Sequence, residues 1–264
     1  MAVLIHGDRI VPAWLEAARH LAGCKENTER NLVLEIATPG VLNEQDRDVI
    51  GAVDTALQAN CPGLSVQTVA STIFPSSLYK LDKRPAFYES YVNAMAKGQK
   101  KGGWGTYALR MIRRVARNGK STYNPLETLV RKLQASKEGR CYQAVYELGV
   151  IDVEYDLQDD GFGFELPLYD PAADQKKPRN MPCLSHLSFK VTAGKLDITA
   201  MYRSHWYCQR VLGNLVGLNN LHHYVATESG FERGVLTVLS THALLDVKSF
   251  GGAKATKALL NSFD

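Results

Sequence analysis

A cysteine after a proline (Pro182-Cys183), an arginine-serine pair (Arg203-Ser204) and a single asparagine (Asn214) are the residues whose types and order suit covalent chemistry. A thiolate attacks electron-poor carbon well, but an ordinary thiol is mostly protonated at neutral pH, so an attacking cysteine needs a cation beside it. Arg203 lies twenty positions further along the chain. What stands between them decides whether they meet. Apolar residues alternate at Leu187, Phe189 and Val191 and again at Leu196, Ile198, Ala200 and Tyr202, with Ala193-Gly194-Lys195 separating the runs. The period of two predicts two strands, and the glycine-containing break predicts a hairpin turn. Such a hairpin brings Cys183 and Arg203 to one end of one sheet, where the guanidinium favours the thiolate.

The remaining elements must carry this hairpin. Val11, Trp14, Leu15, Ala18 and Leu21 share a helical face over Ile10 to Leu21, Asn31 to Ala37 reads as a strand, and Glu44 to Gln58 reads as a helix. Ser65 to Pro75 is rich in β-branched residues and is expected to begin as a strand and stop at the proline. A helix is expected from Phe87 to Ala96, followed by a glycine-rich loop toward Met111. Asn124-Pro125-Leu126-Glu127 carries the signs of a helix start, with Asn124 capping and Glu127 completing a capping box. Cys141 to Tyr155 reads as strand and Asp156 to Asn180 as a surface excursion. A helix over Tyr207 to Tyr224 carries Asn214, a strand runs from Gly234 to Leu245, and a last helix spans Gly251 to Phe263.

Composition excludes some classes. In 264 residues, 45% hydrophobic and 22% charged is the balance of a folded globular chain, and no run approaches the roughly 20 apolar residues of a membrane span. A net charge of +4 suits an anionic ligand and is too small to imply nucleic acid by itself. The five cysteines, at 24, 61, 141, 183 and 208, lack C-x-x-C spacing and are expected to be reduced thiols with no metal site. Asp8, Arg9 and Glu16 interrupt the N-terminal apolar residues, so a cytoplasmic location is expected. Eight basic residues between Lys97 and Lys120 form either a solvated face or an anion-binding surface. Gly119-Lys120-Ser121 is no P-loop, because Arg114 stands where its first glycine would be.

Taken in order, Pro182-Cys183, the hairpin, Arg203-Ser204 and Asn214 resemble the core of the thymidylate synthase and deoxycytidylate hydroxymethylase superfamily, whose pattern is P-C-H, then R-S-x-D, then P-F-N. The resemblance is clearest over residues 124–245, and 1–264 is expected to form one domain. It implies an α/β fold with a mixed, largely antiparallel sheet layered with helices, its other face used for homodimerisation. It implies Cys183 as the group that adds to C6 of a pyrimidine, which activates C5, and Arg203 as its catalytic partner and phosphate ligand. Ser204, Arg140, Tyr107 and His242 are implied as further nucleotide-binding residues, and Asn214 as the amide that reads the base. An amide at 214 matches a uracil edge. The activity implied is methyl or hydroxymethyl transfer to a uridine-type nucleoside monophosphate, with methylenetetrahydrofolate as the one-carbon donor.

The chain also departs from the family. Trp206 replaces the folate-contacting aspartate, Leu184 follows the cysteine in place of histidine, Ala108 and Leu244 stand where glycine and tyrosine are usual, and Cys141 replaces a second arginine beside Arg140. The family's proton-relaying glutamate has no counterpart that the sequence identifies; Ser71 to Phe74 occupy the nearest region. Each site residue also has a plainer reading, such as an inert packed thiol at 183 or a structural histidine at 242. Two other functions therefore stand beside the transferase: a repurposed, non-catalytic nucleotide-binding protein, and a nucleic-acid module using the basic stretch.

Overall fold

The computed structural model describes residues 2–98, 105–115, 120–138, 165–167 and 182–263. The chain opens with β1 (Val3–Gly7), α1 (Ile10–Gly23) and β2 (Thr28–Ile36), then runs through α2 (Glu44–Asn60), α3 (Val66–Ile73), α4 (Ser76–Asp82), α5 (Ala86–Gly98) and α6 (Tyr107–Ile112). A short pair, β3 (Arg114–Val115) and β4 (Thr122–Tyr123), precedes α7 (Pro125–Glu138). The second half comprises β5 (Glu165–Pro167), β6 (Leu184–Thr192), β7 (Lys195–Tyr202), β8 (His205–Trp206), α8 (Leu212–Ser229), β9 (Glu232–Leu244) and α9 (Ala253–Asn261).

Seven strands form one mixed sheet in the order β1-β2-β9-β7-β6-β5, with β8 also against β9. The ladders β2/β9, β6/β7 and β5/β6 are antiparallel and hold the larger share of the paired residues; β1/β2, β7/β9 and β8/β9 are parallel. Alternation sorts the two faces. Leu32, Leu34 and Ile36 of β2, Leu196, Ile198 and Ala200 of β7, and Leu236 and Val238 of β9 are buried under α1 and α8. The opposite face carries a register-matched row, Leu4, Val33, Leu239 and Met201, of which Leu4 and Met201 are exposed.

Helix α8 is buried nearly all round, which is why its sequence shows no single apolar stripe. It meets α3 so closely that a Cβ on Gly213 would stand 2.5 Å from the Cβ of Val69, and one on Gly217 would stand 2.7 Å from the Ala70 carbonyl oxygen. Here the expectation for Ser65 to Pro75 is corrected. The segment is helical: Ser65 and Thr68 form a reciprocal cap, and Val66, Val69, Ala70 and Ile73 recur at helical spacing. Burial against α8 outweighs the β-propensity of its branched side chains. Asn124 caps α7 through the Glu127 amide at 2.9 Å, but the Glu127 carboxylate turns away from the cap to Arg84, Tyr88 and Arg131. The strand expected over Cys141 to Tyr155 lies outside the described residues, as does most of the excursion from Asp156 to Asn180. Of that excursion, β5 pairs with β6. No described helix is long and apolar enough to cross a membrane.

Candidate active site

The hairpin turn places Ala193 and Gly194 at φ of 49° and 80°, the positive angles that let a tight turn follow the twist of the strands. Thr192 and Lys195 close it. Regular pairing from that turn would set Cys183 opposite Ser204. A bulge between Leu184 and His186 inserts one residue and corrects the register, so that Leu184 pairs with Tyr202. The Arg203 amide then donates to the Cys183 carbonyl at 3.0 Å, and the Arg203 guanidinium donates through Nε (3.0 Å) and Nη2 to the Pro182 carbonyl. Only the guanidinium edge formed by Nη1 and Nη2 faces away from that carbonyl. Tyr107 closes the other side. Its helix, α6, is capped by Thr106, whose hydroxyl accepts from the Leu109 amide, and its buried phenol oxygen accepts from the amides of Cys183 (3.1 Å) and Leu184 (3.3 Å). The tyrosine expected in a loop is thus the first residue of a helix.

Cys183 is half-buried and packs against the edge of the core. Burial pushes its thiol above the ordinary value, and the positive charges of Arg203 and Arg210 pull in the opposite direction without prevailing. Arg203 thus acts in the direction its position in the hairpin predicts, and the larger opposing effect comes from burial. Arg210 was not foreseen: it sits in the π-helical turn Tyr207–Val211, whose irregular winding no periodicity reveals.

Asn214 is buried, and its Nδ2 lies 3.0 Å from His205 Nε2, while His205 Nδ1 lies 2.9 Å from the Ser240 hydroxyl. Full burial lowers the His205 pKa to about 3, so the ring is neutral. A carboxamide nitrogen only donates, which makes Nε2 the acceptor and leaves the ring proton on Nδ1. His205 stacks on Tyr202 with centroids 3.8 Å apart and planes 5° from parallel. The Tyr202 hydroxyl is buried with no hydrogen-bond partner among the described residues, and its titration responds to Tyr107 and Cys183 after the dominant effect of burial. Stacking and hydrogen bonding therefore link Tyr202, His205 and Asn214, and Cys183 acts on the Tyr202 end through its charge. Neither Tyr202 nor His205 was singled out from sequence. Their partners come from two strands and a helix, and only the adjacency of His205 to Arg203-Ser204 hinted at a role.

The other expected residues are placed less closely. Ser204 is half-buried between β7 and β8. His242 is exposed on β9, opposite Arg30 of β2. Arg140 lies outside the described residues. Trp206 is 45% exposed on β8. Of the basic stretch, Arg110 and Arg114 are buried, so they do not belong to an open cationic face. No described carboxylate is hydrogen-bonded to Cys183, Tyr202 or Asn214.

Fold and site together define a mixed α/β protein that presents a half-buried cysteine, held by its backbone between a tyrosine and an arginine, at the end of a sheet. Curated relatives named "Putative thymidylate synthase" match part of this chain. One from Methanosarcina acetivorans is 28% identical over 138 residues, 52% of this chain and 51% of the relative. One from Methanothermobacter marburgensis is 37% identical over 86 residues, 33% of this chain and 38% of the relative. No family model matches. The chain spans about half the length of the first of these relatives, and less of the second. Over the matched residues its sequence is similar to these relatives, as that of a divergent, thymidylate synthase-like chain.

Proposed function

We propose that this protein is a transferase acting at C5 of a uridine-type nucleoside monophosphate through a Cys183 adduct. The observation that carries the reading is the clamp on Cys183: two amides on the Tyr107 phenol, a carbonyl on Arg203, and two guanidinium charges acting on the sulfur. The thiolate adds to C6, the ring electrons move to C5 and its adjoining carbonyl, and C5 takes a proton from water; reversal expels the thiolate and can lose the original C5 hydrogen. The outward Nη1/Nη2 edge of Arg203, with Ser204, would take the phosphate, and Asn214, oriented by His205, the base edge. Arg140, Tyr107 and His242 complete the proposed nucleotide contacts.

Methylenetetrahydrofolate would supply the one-carbon unit in such a family. Trp206 offers an indole face where the family has a carboxylate, so the residues present do not fit that pterin contact, and the steps assigned to this chain end at the adduct. We also propose a homodimer formed through the sheet row Leu4, Val33, Leu239 and Met201. A single domain and a cytoplasmic location go with this reading.

Incubation with C5-tritiated deoxyuridylate or uridylate, without a one-carbon donor, is expected to release tritium to water. Cys183→Ala should lower release at least about 1,000-fold while leaving nucleotide binding measurable. Release that survives Cys183→Ala sinks the adduct. A second reading, a binding protein that keeps the nucleotide grip without transfer, draws on the upward-shifted thiol and on the lack of a described carboxylate bonded to the site. Saturable nucleotide binding with no release in the wild type selects it.

A further inference from the structure

Outside the proposed nucleotide site, three side chains of different chemistry converge where α1 meets β2. His20 lies one turn before Cys24, the residue that ends α1, so both project from the same face. The chain then turns back through Lys25–Asn27, with Glu26 and Asn27 at φ of 58° and 55°, and this sharp reversal returns Glu29 to the end of the helix. His20 Nε2 and Glu29 Oε2 are 3.2 Å apart, Cys24 Sγ and His20 Nε2 are 3.5 Å apart, and Cys24 Sγ and Glu29 Oε2 are 3.8 Å apart.

We propose that His20, Cys24 and Glu29 bind a single divalent cation of the zinc class, with a fourth position open to water. Zinc bonds of about 2.0–2.1 Å to nitrogen, 2.0–2.2 Å to oxygen and 2.3 Å to sulfur, set at tetrahedral angles, place nitrogen and oxygen about 3.4 Å apart and sulfur about 3.6 Å from either. The three donor atoms already stand on that triangle to within about 0.2 Å. Hydrogen bonds also hold the cluster without an ion, the thiol donating to the His20 carbonyl and the imidazole to the Glu29 carboxylate. The thiol has one proton, yet it faces the His20 carbonyl at 3.3 Å as well as the imidazole and the carboxylate.

Charge and softness agree with the geometry. Thiolate and carboxylate supply two negative charges, and imidazole supplies none, which matches a dication. The mixed sulfur, nitrogen and oxygen set suits zinc and disfavours magnesium and calcium, which take oxygen ligands. All three residues are half-buried, which leaves a route for the ion. Glu29 Oε1 accepts from the Arg30 amide at 2.9 Å, so the carboxylate is held with its other oxygen toward the site. Glu29 pairs with Ala243, which pairs in turn with His205, so the ion would pin the end of α1 to the sheet end that carries β8.

Chelator-treated wild-type protein titrated with zinc in a calorimeter is expected to take up one ion per chain. Cobalt(II) in its place should give the intense near-ultraviolet absorption of a thiolate ligand. Cys24→Ser should abolish that absorption and weaken zinc at least about 100-fold, Glu29→Gln should weaken it at least about tenfold, and Cys61→Ser should change neither. In the unmodified chain, zinc should protect Cys24 from iodoacetamide, read peptide by peptide in a mass spectrometer. Absence of the cobalt band in the wild type, its persistence in folded Cys24→Ser, or equal alkylation of Cys24 with and without zinc overturns the site.

Discussion

At Cys183 two opposing effects set the chemistry. Burial disfavours the charged sulfur, and two guanidinium groups favour it, with burial ahead. Iodoacetamide labelling of Cys183 should therefore rise with pH around a midpoint above that of an ordinary free thiol. Arg210→Gln removes one positive charge without touching the hairpin, so it should move the midpoint further up and slow labelling several-fold at neutral pH. Arg203→Gln should do the same and also loosen the Pro182 carbonyl. Labelling unchanged in both variants would separate these charges from the sulfur. Sequence showed the Cys183 and Arg203 pairing because a hairpin has a readable period, yet it did not show the bulge at Ser185 that makes the two residues direct neighbours. The burial that reverses the thiol's shift comes from packing by distant elements, and it leaves no mark in local spacing.

Between elements, the Arg84, Glu127 and Glu228 cluster joins the start of α5 to α7 and α8. Arg84 meets both Glu127 oxygens, at 2.9 and 3.0 Å, and reaches Glu228 at 3.3 Å; Tyr79 bonds to Glu228 and Tyr88 to Glu127. Burial pushes the Glu127 carboxyl up, but the bonds from Arg84, Arg131 and Tyr88 outweigh it and hold the pKa at about 2. An unfolded glutamate titrates at about 4.3, so this depressed group contributes stability that is complete above that value and is lost as pH falls toward 2. Glu127→Gln should cost roughly 2 kcal/mol at neutral pH, measured by urea unfolding, and the variant's stability should fall less steeply than the wild type's between about pH 5 and 2. An equal acid slope in both proteins would place the titration elsewhere. Sequence marked Glu127 only as a helix cap, since its true partners sit 43 and 39 positions away at Arg84 and Tyr88. It misread α3 for a related reason: the glycines of α8 that seat that helix lie far along the chain from the branched residues they receive.

For the molecule as a whole, the sheet presents one covered face and one carrying a half-open apolar row. If two copies meet there, light scattering should give twice the mass of one chain, and Leu239→Lys should return it to one without unfolding, because that side chain points away from the helical layer. A monomeric wild type would remove the dimer. Strand alternation made the sheet and its two faces legible in sequence; the order of the strands was not, because partners in a mixed sheet are chosen by contacts distant along the chain. The strand order carries a further consequence. The β1-β2 pair and the β5-β6-β7 set touch different edges of β9, and β9 is translated after all of them. During synthesis the sheet exists as two unjoined parts, each with a bare edge open to aggregation, until the ribosome delivers this strand. A premature stop before Glu232 would therefore split the sheet down its middle, where a loss at one margin would only trim it.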